Sequence, residues 1–228
     1  MAENLRIACL ASGGKDSALA LYRGIRQGHE IKYLVTMVPE REDSWMFHYP
    51  NIHLVDLFAE AAGIPLCKGK TRGIKEVELE DLKHVLQKLD VKGVLSGAVS
   101  SEYQKTRIDR VCKELRLASV TPLWHEDPLK LLRELVNLNF EAIIVGVYAY
   151  GFTREWLGRT IDEEAIDEFI RLNHEYQISM VGEGGEYETL VLNAPFFTKK
   201  IKLLKVEKTW DGQSGYLSVK DATIVEKT

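Results

Sequence analysis

The chain has 228 residues, 30 Lys and Arg against 34 Asp and Glu, a net charge of −4, and 45% hydrophobic with 28% charged residues. Those proportions exclude a disordered chain, and 17 Gly with 6 Pro exclude collagen-like or low-complexity sequence. No stretch approaches the roughly 18 uninterrupted apolar residues of a membrane span, no signal peptide is read at the N-terminus, three Cys without close spacing fit a reducing cytoplasm, and the mild acidity argues against stable nucleic-acid binding.

Arg6 to Ala11 is a short apolar run, read as a buried strand, and Asp16 to Gln27 carries apolar residues at helical spacing before Gly28. Ile31 to Val38 is β-branched and apolar, a second strand, and Pro39 to Tyr49 reads as a loop. A helix is predicted over Asn51 to Ala62, ending at Gly63, with a short strand from Pro65. Glu76 to Leu89 is an amphipathic helix, Val91 to Leu95 a fourth strand, Tyr103 to Leu115 a helix and Ala118 to Thr121 a fifth strand. This repetition predicts an α/β fold, a parallel sheet with helices on both faces, whose ligands bind beyond the carboxyl ends of the strands. Leu129 to Leu138 and Asp162 to Gln177 read as helices. Ala142 to Val147, Thr189 to Leu192, Lys200 to Thr209 and Tyr216 to Val219 read as strands of a smaller α+β region. The change of pattern places a domain boundary near His125, giving 1–125 as a nucleotide-binding domain and 126–228 as a substrate-binding domain.

Between the first strand and the first helix stands Ser12-Gly13-Gly14-Lys15-Asp16-Ser17. Two glycines allow a tight turn and close approach, the helix start offers N–H groups to a phosphate, both serines can donate, and Lys15 adds a positive charge. Asp16 would repel a phosphate unless it caps the helix or holds a Mg²⁺ that bridges phosphate oxygens. The plainer alternative is an ordinary βα turn with a Ser or Asp cap. The spacing fits neither G-x-x-x-x-G-K-[ST] nor G-x-G-x-x-G.

A second cluster sets Glu183, Glu186 and Glu188 within six positions, interleaved with Gly184, Gly185 and Tyr187 and followed by Thr189. In a strand, Glu186 and Glu188 would face one side, where paired carboxylates and an aromatic ring suit a quaternary cation. The plainer alternative is a solvated acidic turn. Gly97 to Gln104 follows the fourth strand, where Gly97 allows close approach and Ser100, Ser101, Glu102, Tyr103 and Gln104 offer polar contacts. Ser100 or Ser101 could equally cap the next helix. Met37 ends the second strand and is either core or a backbone contact for adenine, and His48 follows the aromatic run Trp45-Met46-Phe47.

The Ser12 to Ser17 segment resembles the pyrophosphate-binding loop of the N-type ATP pyrophosphatases, the PP-loop enzymes of the adenine-nucleotide alpha-hydrolase-like (HUP) fold. With Met46-Phe47-His48, Asn51, Gly97 to Gln104, Pro122-Leu123-Trp124 and Gly182 to Thr189, the chain is similar to the diphthine–ammonia ligases from about Ile7 to Phe197. That resemblance implies a cytoplasmic ATP-dependent carbon–nitrogen ligase that makes diphthamide from diphthine on elongation factor 2 with ammonium, releasing AMP and pyrophosphate through an adenylated carboxylate. It implies ATP and Mg²⁺ at Ser12, Gly13, Gly14, Lys15, Asp16, Ser17, Met37, Gly97, Ser100, Ser101 and Gln104, with the metal on Asp16. It implies catalytic roles for Lys15, Asp16, Glu183, Glu186 and Glu188, and substrate contacts from His48, Glu102, Tyr103, Gly184, Gly185, Tyr187 and Thr189. No membrane is involved, and a homo-oligomer is compatible with it. Val181 stands where a Cys is expected in many relatives, so no thiol role is assigned there. The rivals are a tRNA-thiolating or lysidine-forming enzyme of the same fold, disfavoured by Cys9, Cys67 and Cys112 lacking a C-x-x-C, and a nonenzymatic nucleotide-binding protein.

Overall fold

The structure, a computed structural model, describes residues 4–39, 51–72 and 77–227. His48 and the aromatic run before it lie outside the described residues. The first half alternates β1 (Arg6–Leu10), α1 (Lys15–Arg26), β2 (Glu30–Pro39), α2 (Val55–Ala62), β3 (Leu66–Thr71), α3 (Val77–Leu86), β4 (Gly93–Leu95), α4 (Glu102–Leu115) and β5 (Ala118–Val120). All five strands are parallel, in the order β3-β2-β1-β4-β5. Alternation along each strand sends side chains to opposite faces. Ile7, Cys9, Leu34 and Leu95 pack on the side of α1 and α2, whereas Ala8, Val35, Met37 and Val94 pack with α3 and α4. Burial on both faces explains why these strands read as unbroken apolar runs. The expected α/β fold with helices on both faces is the one observed.

The second half contains α5 (Pro128–Asn137), β6 (Glu141–Val147), α6 (Glu163–Tyr176), β7 (Tyr187–Asn193), β8 (Lys199–Trp210) and β9 (Gly215–Glu226). Its four strands form a separate antiparallel sheet ordered β7-β6-β9-β8. Asp127 and Asp162 cap α5 and α6, each accepting at 2.8 Å from the backbone N–H three residues on. β9 runs well beyond the four residues predicted from pattern. It pairs with β8 from Lys199↔Glu226 to Trp210↔Gly215, so the hairpin ladder carries polar residues that lack strand patterning.

No break in packing separates the halves. The apolar cluster that seats α1 and α2 also contains Leu131 and Leu135 of α5, Ile144 of β6, Phe169 of α6 and Val191 of β7. Arg23 on α1 donates to the Pro122 carbonyl at 2.8 Å and pairs with Glu134 on α5. Most consequential for the site, the Val191 N–H on β7 donates to the Gly13 carbonyl at 2.9 Å. An edge strand of the second sheet therefore lies directly against the glycine loop of the first.

Candidate active site

Strand order reverses between β1 and β4, and the loops at the carboxyl ends of both open there into a cavity of about 460 Å³. That is the ligand position of open α/β sheets. One wall is the Ser12 to Ser17 loop, the floor includes Thr36 and Met37 of β2, and Ser96, Gly97, Tyr103 and Gln104 close the β4 side. The opposite wall, Val181 to Gly185 with Tyr187, Glu188 and Thr189, comes from the second half.

The glycine loop is shaped from within. Gly13 has φ of 82°, a conformation that favours glycine, and Gly14 opens α1 without a side-chain cap. Asp16 sits inside the first helical turn, which removes the reading of an ordinary Asp or Ser cap. The Ser17 hydroxyl donates to the Gly14 carbonyl at 3.0 Å and accepts from the Ser12 N–H at 3.3 Å. The Ser12 hydroxyl accepts from the Gly14 N–H at 3.2 Å and stands 3.2 Å from the Ser17 hydroxyl. Both serines thus hold the turn, and both line the cavity. The N–H groups of the first turn have no helical carbonyl before them, an arrangement that favours an anion.

Lys15 is nearly buried, at 3% exposure. Its ammonium donates to the Val181 carbonyl at 2.6 Å and to Asp16 Oδ2 at 2.7 Å, and lies 5.1 Å from the Tyr187 ring centroid. An ammonium has three hydrogens, so one stays available to the cavity. Burial raises the Asp16 carboxyl above its ordinary range, Lys15 opposes that, and nearby Glu183 adds to it. The Lys15 N–H donates to Thr189 Oγ1 at 3.0 Å. Thr189, expected to touch substrate, lines the cavity and also fastens the two halves together.

The glutamate cluster divides into separate jobs. Glu183 Oε1 accepts from the Val99 N–H at 2.8 Å, while its Oε2 is buried without a partner. Glu186 accepts from the Ser179 N–H at 3.0 Å and the Gly184 N–H at 2.8 Å, which clamps a turn containing Gly182 and Gly185 at positive φ. The reading of Glu186 and Glu188 on one strand face is corrected: β7 begins only at Tyr187, and Glu186 is consumed by the turn before it. Tyr187 is also corrected as an open aromatic face. It is 4% exposed, stacks on Phe169 at 4.8 Å between centroids, and donates its hydroxyl to the Met180 carbonyl at 2.6 Å. Glu188 is largely buried, its Oε2 lacks a partner, and burial pushes its carboxyl up to about 7.

Among the remaining expected residues, Met37, Gly97, Ser101, Tyr103, Gln104, Gly184 and Gly185 reach the cavity wall. Ser101 also caps α4, accepting from the Gln104 N–H at 3.3 Å. A Cβ on Gly97 would meet the Asp16 and Ser17 backbone at 2.7 Å, so its smallness serves the packing of β4 against the start of α1. Gly13, Ser100, Glu102 and Glu186 are not part of the wall, and Ser100 and Glu102 are exposed. Two polar wall residues were not legible in the sequence. Thr36 donates to the Ala11 carbonyl at 2.5 Å, and Ser96 has a buried hydroxyl without a partner. Their only signal was position, Thr36 inside the second apolar run and Ser96 directly after the fourth.

Comparison with known proteins adds the following. The family model of the diphthamide synthase N-terminal domain matches residues 5–119, and that of the C-terminal domain residues 127–225. The chain is 38% identical to the diphthine–ammonia ligase of Rattus norvegicus over 86% of this chain and 82% of that protein. It is 37% identical to that of Homo sapiens over the same shares, and 36% to that of Schizosaccharomyces pombe over 95% of this chain and 39% of the yeast protein. A solved structure titled as a predicted subunit of a tRNA methyltransferase from Methanocaldococcus jannaschii aligns over 83% of this chain and 96% of its own. With 18% identity and a TM-score of 0.46, that likeness carries no functional weight.

Proposed function

The chain belongs to the diphthamide synthase family, and on that premise we propose that it is an ATP-dependent ligase that amidates the carboxylate of diphthine on elongation factor 2 with ammonium, releasing AMP and pyrophosphate. One observation carries the reading: the glycine loop and the segment that carries the glutamate cluster line one cavity, tied by the Lys15 ammonium to the Val181 carbonyl 166 residues on.

In this reading the first-turn N–H groups other than that of Lys15, with the remaining hydrogen of the Lys15 ammonium, receive the pyrophosphate of ATP, and the nucleoside lies along Thr36, Met37 and Ser96. A carboxylate oxygen of diphthine attacks the α-phosphorus and pyrophosphate leaves. Ammonia then attacks the acyl carbon, the bond to AMP breaks, and the nitrogen gives up a proton. Adenylation matters because AMP is a far better leaving group than oxide. Glu186 is occupied by its turn, which leaves Glu183 and Glu188 to serve the proton or the substrate charge. Mg²⁺ fits Asp16, the carboxylate of the glycine loop itself, which would hold the ion with phosphate oxygens completing the shell. It would supply charge neutralisation on the phosphates. The division into 1–125 and 126–228 is proposed on the same basis, nucleotide on the parallel sheet and modified side chain on the antiparallel one.

Sulfur transfer is disfavoured by the thiols themselves. Burial raises all three, and carries Cys112 to about 11. The deciding experiment is incubation with diphthine-bearing elongation factor 2, ATP, Mg²⁺ and ammonium. AMP release with conversion of acid to amide on that histidine is expected; neither event would defeat the reading.

A further inference from the structure

Gly146 of β6 lies in register with Glu188 of β7 on one side and with Tyr216 of β9 on the other. Directly paired residues project from the same face of a sheet, so Glu188 and Tyr216 flank a position that has no side chain of its own. Tyr148, two residues further on, returns to that face, and its ring fills the gap. A Cβ on Gly146 would come within 2.6 Å of the Tyr148 hydroxyl and 2.9 Å of Cζ and Cε2. The Tyr148 N–H donates to the Glu186 carbonyl at 2.8 Å, which fixes the residue to the clamped turn. Both rings stay partly open, Tyr148 at 42% and Tyr216 at 41% exposure.

Burial, with Glu188 and Tyr216 close by, raises the Tyr148 phenol, so it stays neutral. Glu188 belongs to the cavity wall, its Oε2 has no partner, and no lysine or arginine among the described residues pairs with it. An ionised carboxylate with two tyrosine rings beside it attracts a cation through its charge and the rings together, and a quaternary ammonium, which has no N–H to donate, is held by those two attractions alone.

We propose that Tyr148, Tyr216 and Glu188 form the seat for the quaternary ammonium of the diphthine side chain, holding its carboxylate toward the nucleotide. The proposal rests on the functional reading above and replaces the buried Tyr187 with two open rings. It also leaves Glu183 as the group for the nitrogen proton.

The test compares Tyr148→Leu, Tyr216→Leu, the double variant and the two Phe variants in steady-state amidation of diphthine-bearing elongation factor 2. Loss of both rings is expected to raise KM for the protein substrate about five- to thirtyfold, the range of a desolvated cation–π contact. KM for ATP should be unchanged and the Phe variants should stay within about twofold of the parent. A parent that turns over while the double Leu variant keeps its KM overturns the seat alone. A parent that makes neither AMP nor amide overturns the functional reading instead. In that event tetramethylammonium is titrated while the tyrosine ring resonances are followed. A saturable shift that the double Leu variant loses supports the seat, and no shift in the parent refutes it.

Discussion

Glu188 offers a direct physical test. Burial pushes its carboxyl from 4.5 up to about 7, and its Oε2 has no hydrogen-bond partner among the described residues. The full penalty on the charged form is then about 3 kcal/mol. The unfolded chain releases this proton near its ordinary value, so across the window between the two values the native state binds more protons. Stability must therefore fall as pH rises through that window. About 2 kcal/mol of the loss falls between about pH 5.5 and about pH 8.5. Glu188→Gln keeps the volume and removes the charge. Urea unfolding of both proteins across that range should give stabilities that diverge with pH, the variant gaining about 2 kcal/mol on the parent by the alkaline end. Parallel curves would refute the assignment of a desolvated, unrelieved carboxylate. In the parent, a saturating quaternary cation should flatten the divergence, because the bound cation favours the ionised form.

Other expectations follow from contacts already described. Gly97→Ala forces a methyl against the backbone of Asp16 and Ser17, and should cost about 1–3 kcal/mol in urea unfolding and raise KM for ATP. Thr189→Val removes the acceptor of the Lys15 N–H, and should cost about 1 kcal/mol and weaken ATP binding measured by calorimetry. Glu186→Ala strips two backbone N–H groups of their acceptor, so limited proteolysis should cut between Ser179 and Glu186 faster than in the parent. Glu183→Gln should retain ATP binding and lose amide formation; normal turnover would remove it from the chemistry. Iodoacetamide at neutral pH should leave the native protein unmodified at Cys9 and Cys112 and fully active, since both thiols are buried and raised.

The parallel sheet was readable because its central strands β1, β2 and β4 send apolar residues to both faces and each helix carries one apolar stripe. The loop at Ser12 to Ser17 was readable because it interrupts that rhythm at the one junction where a phosphate could dock. Roles within the site were less accessible. Glu183, Glu186 and Glu188 are chemically equal in sequence. They differ because Glu186 meets two free N–H groups in its own turn, Glu183 meets Val99 from another loop, and Glu188 Oε2 finds no hydrogen-bond partner among the described residues. Tyr187 looked like the aromatic of the site for the same reason, although Phe169 and the Met180 carbonyl enclose it. Tyr148 and Tyr216 belong to no motif, and only the register of β6 with its two neighbours sets them beside Glu188.

Local pattern in the chain was therefore enough for the element order, the α/β class and the two chemistry-bearing segments, since propensity, periodicity and turn chemistry act over a few residues. Which of those residues face the cavity was decided by contacts across 166 residues or more, between β7 and the glycine loop and between Lys15 and Val181. Burial and partner geometry, not residue type, determine whether a carboxylate clamps a turn, awaits a proton or faces a cation, and both exist only once the two sheets have packed.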